Sequence, residues 1–140
     1  MIHLVAPHRG QDAFGLGSFG APRGKRTHNG IDFAAAAGSG LKSPVTGTVT
    51  KHGLCYAETM EFRYIEITDI NNYRHRFFYV SPLAEVDTQV SIGDVIGRIQ
   101  NISRYHEAHD PDRKMINHLH YEVKTPQGEY INPGELNGNF

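Results

Sequence analysis

The stretch Phe62-Arg63-Tyr64-Ile65-Glu66-Ile67-Thr68, then Asn71-Asn72, then Arg74-His75-Arg76-Phe77-Phe78-Tyr79-Val80, decides the fold class. Its first run alternates large apolar with polar side chains, the two-residue period of a strand with one buried face. The second run repeats this less strictly, and the asparagine pair between them suits a hairpin turn. Upstream, Thr46-Gly47-Thr48-Val49-Thr50 follows the punctuation of Lys42-Ser43-Pro44-Val45. Downstream, Val90 to Ile99 predicts another strand beside a Gly93-Asp94 turn, and His118 to Val123 alternates again. Residues 8–30 are rich in Gly and Arg, the composition of a loop or extended arm. No window keeps a helical period for long, and Ser103 to Met115 is the one charged stretch that suits a short helical turn. There is no internal repeat and no low-complexity segment. These runs predict an all-β, or nearly all-β, single compact antiparallel sheet domain.

Composition bounds the function. The chain has 140 residues, 14 Lys and Arg against 15 Asp and Glu, and a net charge of −1. That length supports one domain with one core. The mixed charge predicts no broad attraction to nucleic acid or anionic membrane. Short basic clusters (Arg23, Lys25, Arg26; Arg74, Arg76) read as solvated faces; Arg26 is expected to pair with a neighbouring acidic side chain, the alternative being a carboxylate of a bound peptide. No run approaches the ~20 apolar residues that span a bilayer. Met1 to Pro7 lacks the basic start and apolar core of a signal peptide. The single Cys55 cannot form an internal disulfide, and nothing in Gly53-Leu54-Cys55-Tyr56 marks a partner base for a thiol nucleophile.

Chemistry concentrates in two histidine motifs, His28-Asn29-Gly30-Ile31-Asp32 and His118-Leu119-His120-Tyr121-Glu122. Together they offer two imidazoles and a carboxylate, with one imidazole to spare. That is the ligand set of a catalytic zinc with an open position, whereas structural zinc more often uses thiolates. On a strand His118 and His120 would share a face, about 6.5–7 Å apart. His28 and Asp32 are four apart. Gly30 and Ile31 weaken a helix there, and full extension would separate them by ~13 Å. A bend at Asn29-Gly30 is the simplest way to put both on one concave side. Mixed nitrogen and oxygen donors favour Zn2+.

The blocks His28-Asn-Gly-Ile-Asp-Phe-Ala, Gly38 to Val49, Ile92-Gly-Asp-Val-Ile-Gly, His118-Leu-His-Tyr-Glu-Val and Ile131-Asn-Pro stand in the order of the lysostaphin/LytM-type peptidase domain. The chain resembles that family over residues 23 to 134. The resemblance implies a β-sheet domain with a zinc-lined groove that cleaves peptide cross-links of bacterial peptidoglycan. It implies His28, Asp32 and His120 as zinc ligands, and His118 as the catalytic histidine that hydrogen-bonds the reacting water or the oxyanion. With the glycine-rich composition upstream, the expected organisation is an N-terminal arm over 1–22, the domain over 23–136 and a tail over 137–140.

Two departures stand out. Where the family has a second catalytic histidine in a Tyr-x-His-Leu segment on a central strand, this chain has Tyr79-Val80-Ser81-Pro82. A hydroxyl cannot shuttle protons near neutral pH as imidazole does. His75, six residues earlier on the same face, would lie roughly 20 Å away. The segment is similar to that of leukocyte cell-derived chemotaxin, a zinc-binding member of the fold regarded as a non-peptidase. The second departure is the long charged stretch 101–117, read as a specialised rim. Its His106 and His109 are expected to be solvated, the alternative being a swing toward the zinc. Tyr105 and Tyr121 are expected in the cleft wall.

The sequence therefore predicts a zinc-dependent endopeptidase acting on peptidoglycan stem or cross-bridge peptides. A phage lysin or virion-associated protein, delivered by the particle or after lysis, is the expected setting. The alternative is a catalytically impaired zinc-binding module serving wall binding or a structural role among virion proteins.

Overall fold

The asparagine turn joins two strands at the centre of an antiparallel sheet. The computed structural model describes residues 29–137, and upstream of them only the backbone of β1 (Gln11–Asp12) paired with β2 (Gly15–Leu16) and β3 (Pro22–Arg23) paired with β4 (Arg26–Thr27). Most of the predicted arm, His28, the side chains of Glu135 and Asn137, and residues 138–140 lie outside the described residues. The remaining strands are β5 (Gly30–Ala34), β6 (Gly40–Lys42), β7 (Gly47–Tyr56), β8 (Thr59–Asp69), β9 (Arg74–Phe78), β10 (Val80–Pro82), β11 (Gln89–Val90), β12 (Val95–Ile99), β13 (His118–Lys124) and β14 (Tyr130–Ile131). Two short helices complete the chain, α1 (Ile102–His109) and α2 (Gly134–Asn137). The large sheet runs β11-β7-β8-β9-β13, and β5 and β14 share the far edge of β13. A second sheet has the order β10-β12-β6.

The β8–β9 turn closes on Asn72 at φ 64°, with its N–H donating to the Asp69 carbonyl at 3.0 Å. Asparagine tolerates that left-handed backbone better than most residues. Register then decides which side chains share a face. Ile31, Tyr121, Phe77 and Ile65 lie opposite one another across four strands, and Val123, His75 and Ile67 across three. All are buried and form the core with Phe33, Leu41, Val49 and Ile96. Tyr121 stacks on Phe77 with ring centroids 4.8 Å apart. Each such aliphatic or aromatic side chain contributes about 1.5–3 kcal/mol by leaving water. The opposite parity, including Asp32, His120, Phe78 and Tyr64, lines the other face.

Three expectations change. The strand read at Thr46–Thr50 continues to Tyr56, because register shifts between Val49 and Lys51 and between Leu54 and Tyr56 break the alternation that would have marked it. Tyr121 is fully buried in the core and is no part of a cleft wall. His75 and Ser81 share no face: His75 is 1 % exposed in the core, whereas Ser81 is exposed on β10 opposite Arg98. Tyr79 causes that separation. At φ 68° it ends β9 and turns the chain into the second sheet, held by its N–H to the Arg63 carbonyl and by its carbonyl to the Gln100 N–H, both 2.8 Å.

Candidate active site

The site is built on two neighbouring strands. In the antiparallel β5–β13 ladder Asp32 lies directly opposite His120, with Ala34 opposite His118 and Gly30 opposite Glu122. Two-residue alternation therefore brings His118, His120 and Glu122 to the same face as Asp32. Small residues flank the carboxylate for a reason. A Cβ on Gly30 would lie 2.3 Å from the Tyr121 carbonyl oxygen and 3.0 Å from Cε1 of His120. The glycine of the first motif thus makes room chiefly for the β13 backbone at Tyr121, and secondarily for the His120 ring.

All four polar side chains are half-buried or buried, Asp32 being 3 % exposed. Asp32 Oδ1 lies 3.0 Å from His120 Nδ1, and Glu122 Oε1 lies 3.0 Å from His120 Nε2. Burial disfavours charge on this imidazole, but the two carboxylates outweigh it and bring its pKa up to about 9. His118 is held differently. Its Nδ1 lies 2.9 Å from the Ile116 carbonyl, which can only accept, so Nδ1 carries the proton. In the neutral ring Nε2 is then the proton-accepting nitrogen, 3.9 Å from Asp32 Oδ2. A backbone carbonyl has selected the tautomer that a general base requires.

Aromatic rings border the centre. Phe78 meets His120 edge-on at 5.1 Å, and Tyr79 meets His118 edge-on at 5.4 Å. The 101–117 stretch forms the adjoining rim, with both of its ends fastened. Asn101 caps α1 by accepting from the Arg104 N–H. Asn117 donates to the Ala35 and Gln100 carbonyls and accepts from the Ser103 N–H. His109 is exposed and donates from Nδ1 to the Tyr105 carbonyl of its own helix, a surface role as expected. His106 departs from that expectation: it is half-buried, with Nε2 3.1 Å from the Tyr56 hydroxyl. Tyr105 stacks on Tyr56 at 5.7 Å and meets Phe62 at 5.0 Å. Burial pushes the Cys55 thiol up to about 12, which removes it as a nucleophile at neutral pH.

Of the predicted metal ligands, the fold brings Asp32 and His120 together, with His118 beside them, while His28 lies outside the described residues. Among the described residues no three His, Cys, Asp or Glu side chains are arranged to hold a metal ion. The pair that is described fits one chemically. A carboxylate faces one imidazole nitrogen, and a second carboxylate grips the other, which is how proteins commonly orient a ligating histidine. Glu122 went unassigned in the sequence, although its place two residues after His120 puts it on the ligand face.

An antiparallel β domain whose open face carries a histidine–carboxylate centre is a lysostaphin-like domain. The chain belongs to Peptidase family M23, whose model matches residues 26–133. Three solved structures illustrate the shared fold. The catalytic domain of the prophage-encoded M23 protein EnpA from Enterococcus faecalis, crystallised as a point mutant, is 21 % identical, with 95 % of this chain and 98 % of that one covered at a TM-score of 0.63. The catalytic domain of the antimicrobial peptidase lysostaphin from Staphylococcus simulans is 18 % identical over 86 % of this chain and 88 % of that one, at a TM-score of 0.65. A zinc containing peptidase from Vibrio cholerae is 18 % identical, and 93 % of this chain covers 35 % of it at a TM-score of 0.58. No curated protein matches the chain by sequence.

Proposed function

We propose that this protein is a zinc-dependent endopeptidase that cleaves peptide cross-links of bacterial peptidoglycan. Membership of a peptidase family supports the reaction class, and the zinc containing peptidase of the same fold supports the metal. The observation that carries the reading is the tautomer of His118, whose Nδ1–H is tied to a backbone carbonyl while Nε2 faces the Asp32 side of the site. That arrangement leaves Nε2 with a lone pair directed at the site, which is what a proton-accepting histidine needs.

Asp32, His120 and His28 would hold the zinc. When bound, zinc polarises the scissile carbonyl and makes water more acidic. Glu122 keeps the His120 ring turned toward Asp32 by accepting from Nε2–H. His118 takes the proton of the attacking water at Nε2 and later returns it to the departing amine, a contribution of about 10²–10⁴-fold in rate. The buried flanks of the site strengthen each of these interactions by excluding water.

The runner-up is a zinc-binding module of the same fold that does not cut. Ser81, exposed on β10, favours it, because no imidazole occupies the place of the second histidine. The setting we favour is extracellular, with delivery by a phage particle or after lysis, supported by the fold shared with a prophage-encoded protein. Release of new amino groups from purified peptidoglycan by the zinc-loaded protein tests the reading. Activity in the wild type that is lost in His118→Ala supports it. Absence of release from several wall types, with zinc bound, would establish the non-cutting module.

A further inference from the structure

The second histidine is missing, yet a histidine does reach the site wall by another route. His106 Nε2 lies 3.1 Å from the Tyr56 hydroxyl, and that hydroxyl donates to the Tyr79 hydroxyl at 3.3 Å. A phenol has one proton. If Tyr56 gives its proton to Tyr79, then Tyr56 can only accept from His106, so Nε2 must carry a hydrogen. Tyr79 accepts from Tyr56 and keeps its own proton to give. Among the described residues that proton has no acceptor. The Tyr79 ring stands edge-on to His118, and the Asp32 carboxylate is among the charges that act on it.

Burial raises the phenols of both Tyr56 and Tyr79 above their ordinary value, so both remain donors across the working pH range. The chain is held firmly. Tyr105 and Phe62 pack around Tyr56, α1 is capped at Asn101, and the backbone of Tyr79 is pinned at both its N–H and its carbonyl. Aligned hydrogen bonds polarise one another, so donation by His106 makes Tyr79 a better donor at the far end.

We infer that Tyr79 donates a hydrogen bond to the oxyanion formed from the substrate's scissile carbonyl, and that His106, acting through Tyr56, is the positioning residue that orients and polarises it. This rests on the peptidase reading above. In this arrangement the 101–117 insertion supplies, through two phenols, part of what the absent imidazole would have supplied directly.

The test uses the full chain in two arms. Long-range proton–nitrogen NMR should show His106 Nε2 protonated, with its signals displaced in Tyr56→Phe; an unprotonated Nε2 overturns the relay. In peptidoglycan cleavage, Tyr79→Phe should lower kcat by about 10²–10³-fold, the loss of one oxyanion donor, with KM and zinc content unchanged. His106→Ala should lower kcat by roughly 10-fold, and His106→Gln, whose amide N–H can still donate, should recover most of it. Unchanged kcat in Tyr79→Phe, alongside a dead His118→Ala, overturns this inference and leaves the peptidase reading intact. Equal losses in His106→Ala and His106→Gln overturn the positioning role. A wild type that cleaves nothing overturns the peptidase reading and this inference together.

Discussion

Two histidine–carboxylate clusters sit on opposite faces of one sheet and shift their imidazoles in opposite directions. On the core face His75 donates from Nε2 to Asp69 at 2.8 Å and accepts the Tyr121 hydroxyl at Nδ1 at 2.7 Å. Burial there pushes the imidazole below its ordinary pKa, and the single carboxylate does not restore it. On the other face His120, one strand over, has a carboxylate at each nitrogen and is raised to about 9. Both rings are removed from water. The number of carboxylates in reach sets the direction in which each ring is shifted.

The largest effect should come from Asp32→Ala, which removes a carboxylate from the doubly flanked cluster. Zinc after dialysis, measured by elemental analysis, should fall from about one per chain to none, and cleavage should vanish. Tight zinc retention in this variant, and likewise in His28→Ala, would rule out the assigned ligands. Next, His118→Ala should keep its zinc while kcat drops about 10²–10⁴-fold. Glu122→Gln should then weaken zinc affinity about 10–100-fold, the usual cost of losing the group that orients a ligating imidazole; a competition titration with a chromogenic chelator reads it.

The core cluster should respond to pH instead. Because the folded pKa of His75 lies below the ordinary 6.5, the unfolded chain binds the extra proton first. Stability from this residue is complete above about pH 6.5 and declines as the pH falls toward the folded value. Urea midpoints of metal-free protein should show that decline, and His75→Gln should flatten it. The smallest effect is expected for Tyr121→Phe, about 1 kcal/mol for one hydrogen bond, with zinc content and cleavage unchanged. A loss of activity there would show that the two faces communicate.

Much of this was legible in the sequence because strand alternation carries it. The parity of His118, Leu119 and His120 separates site from core without any tertiary knowledge, although Tyr121, of the core parity, was expected in the cleft wall; the Asn71-Asn72 turn and a short helix overlapping 103–115 were readable too. What resisted reading depended on distant partners. His106 meets Tyr56 across 50 positions of sequence. Distance along a strand already excludes His75 as a stand-in for the second histidine, but its place in the core is visible only once Tyr79 turns the chain into another sheet. The strand β5 went unread because the spacing of His28 and Asp32 drew the reading to a bend before it; Gly30–Ala34 pairs with β13, and the space its glycine leaves is set by the Tyr121 carbonyl, too distant in sequence for local patterning to show.

The β5–β13 pairing has a genetic consequence. Asp32 meets His120 through a ladder of backbone hydrogen bonds, so the site tolerates no change of frame between the two strands. One codon inserted between Gly30 and Ile31 would shift every later residue of β5 by one place. Phe33 and Ile31 would exchange faces with the carboxylate, putting an acid into the hydrocarbon interior and a greasy side chain opposite His120. Point substitutions can erode this centre by degrees, but an in-frame insertion of three nucleotides should erase it and destabilise the domain in a single event.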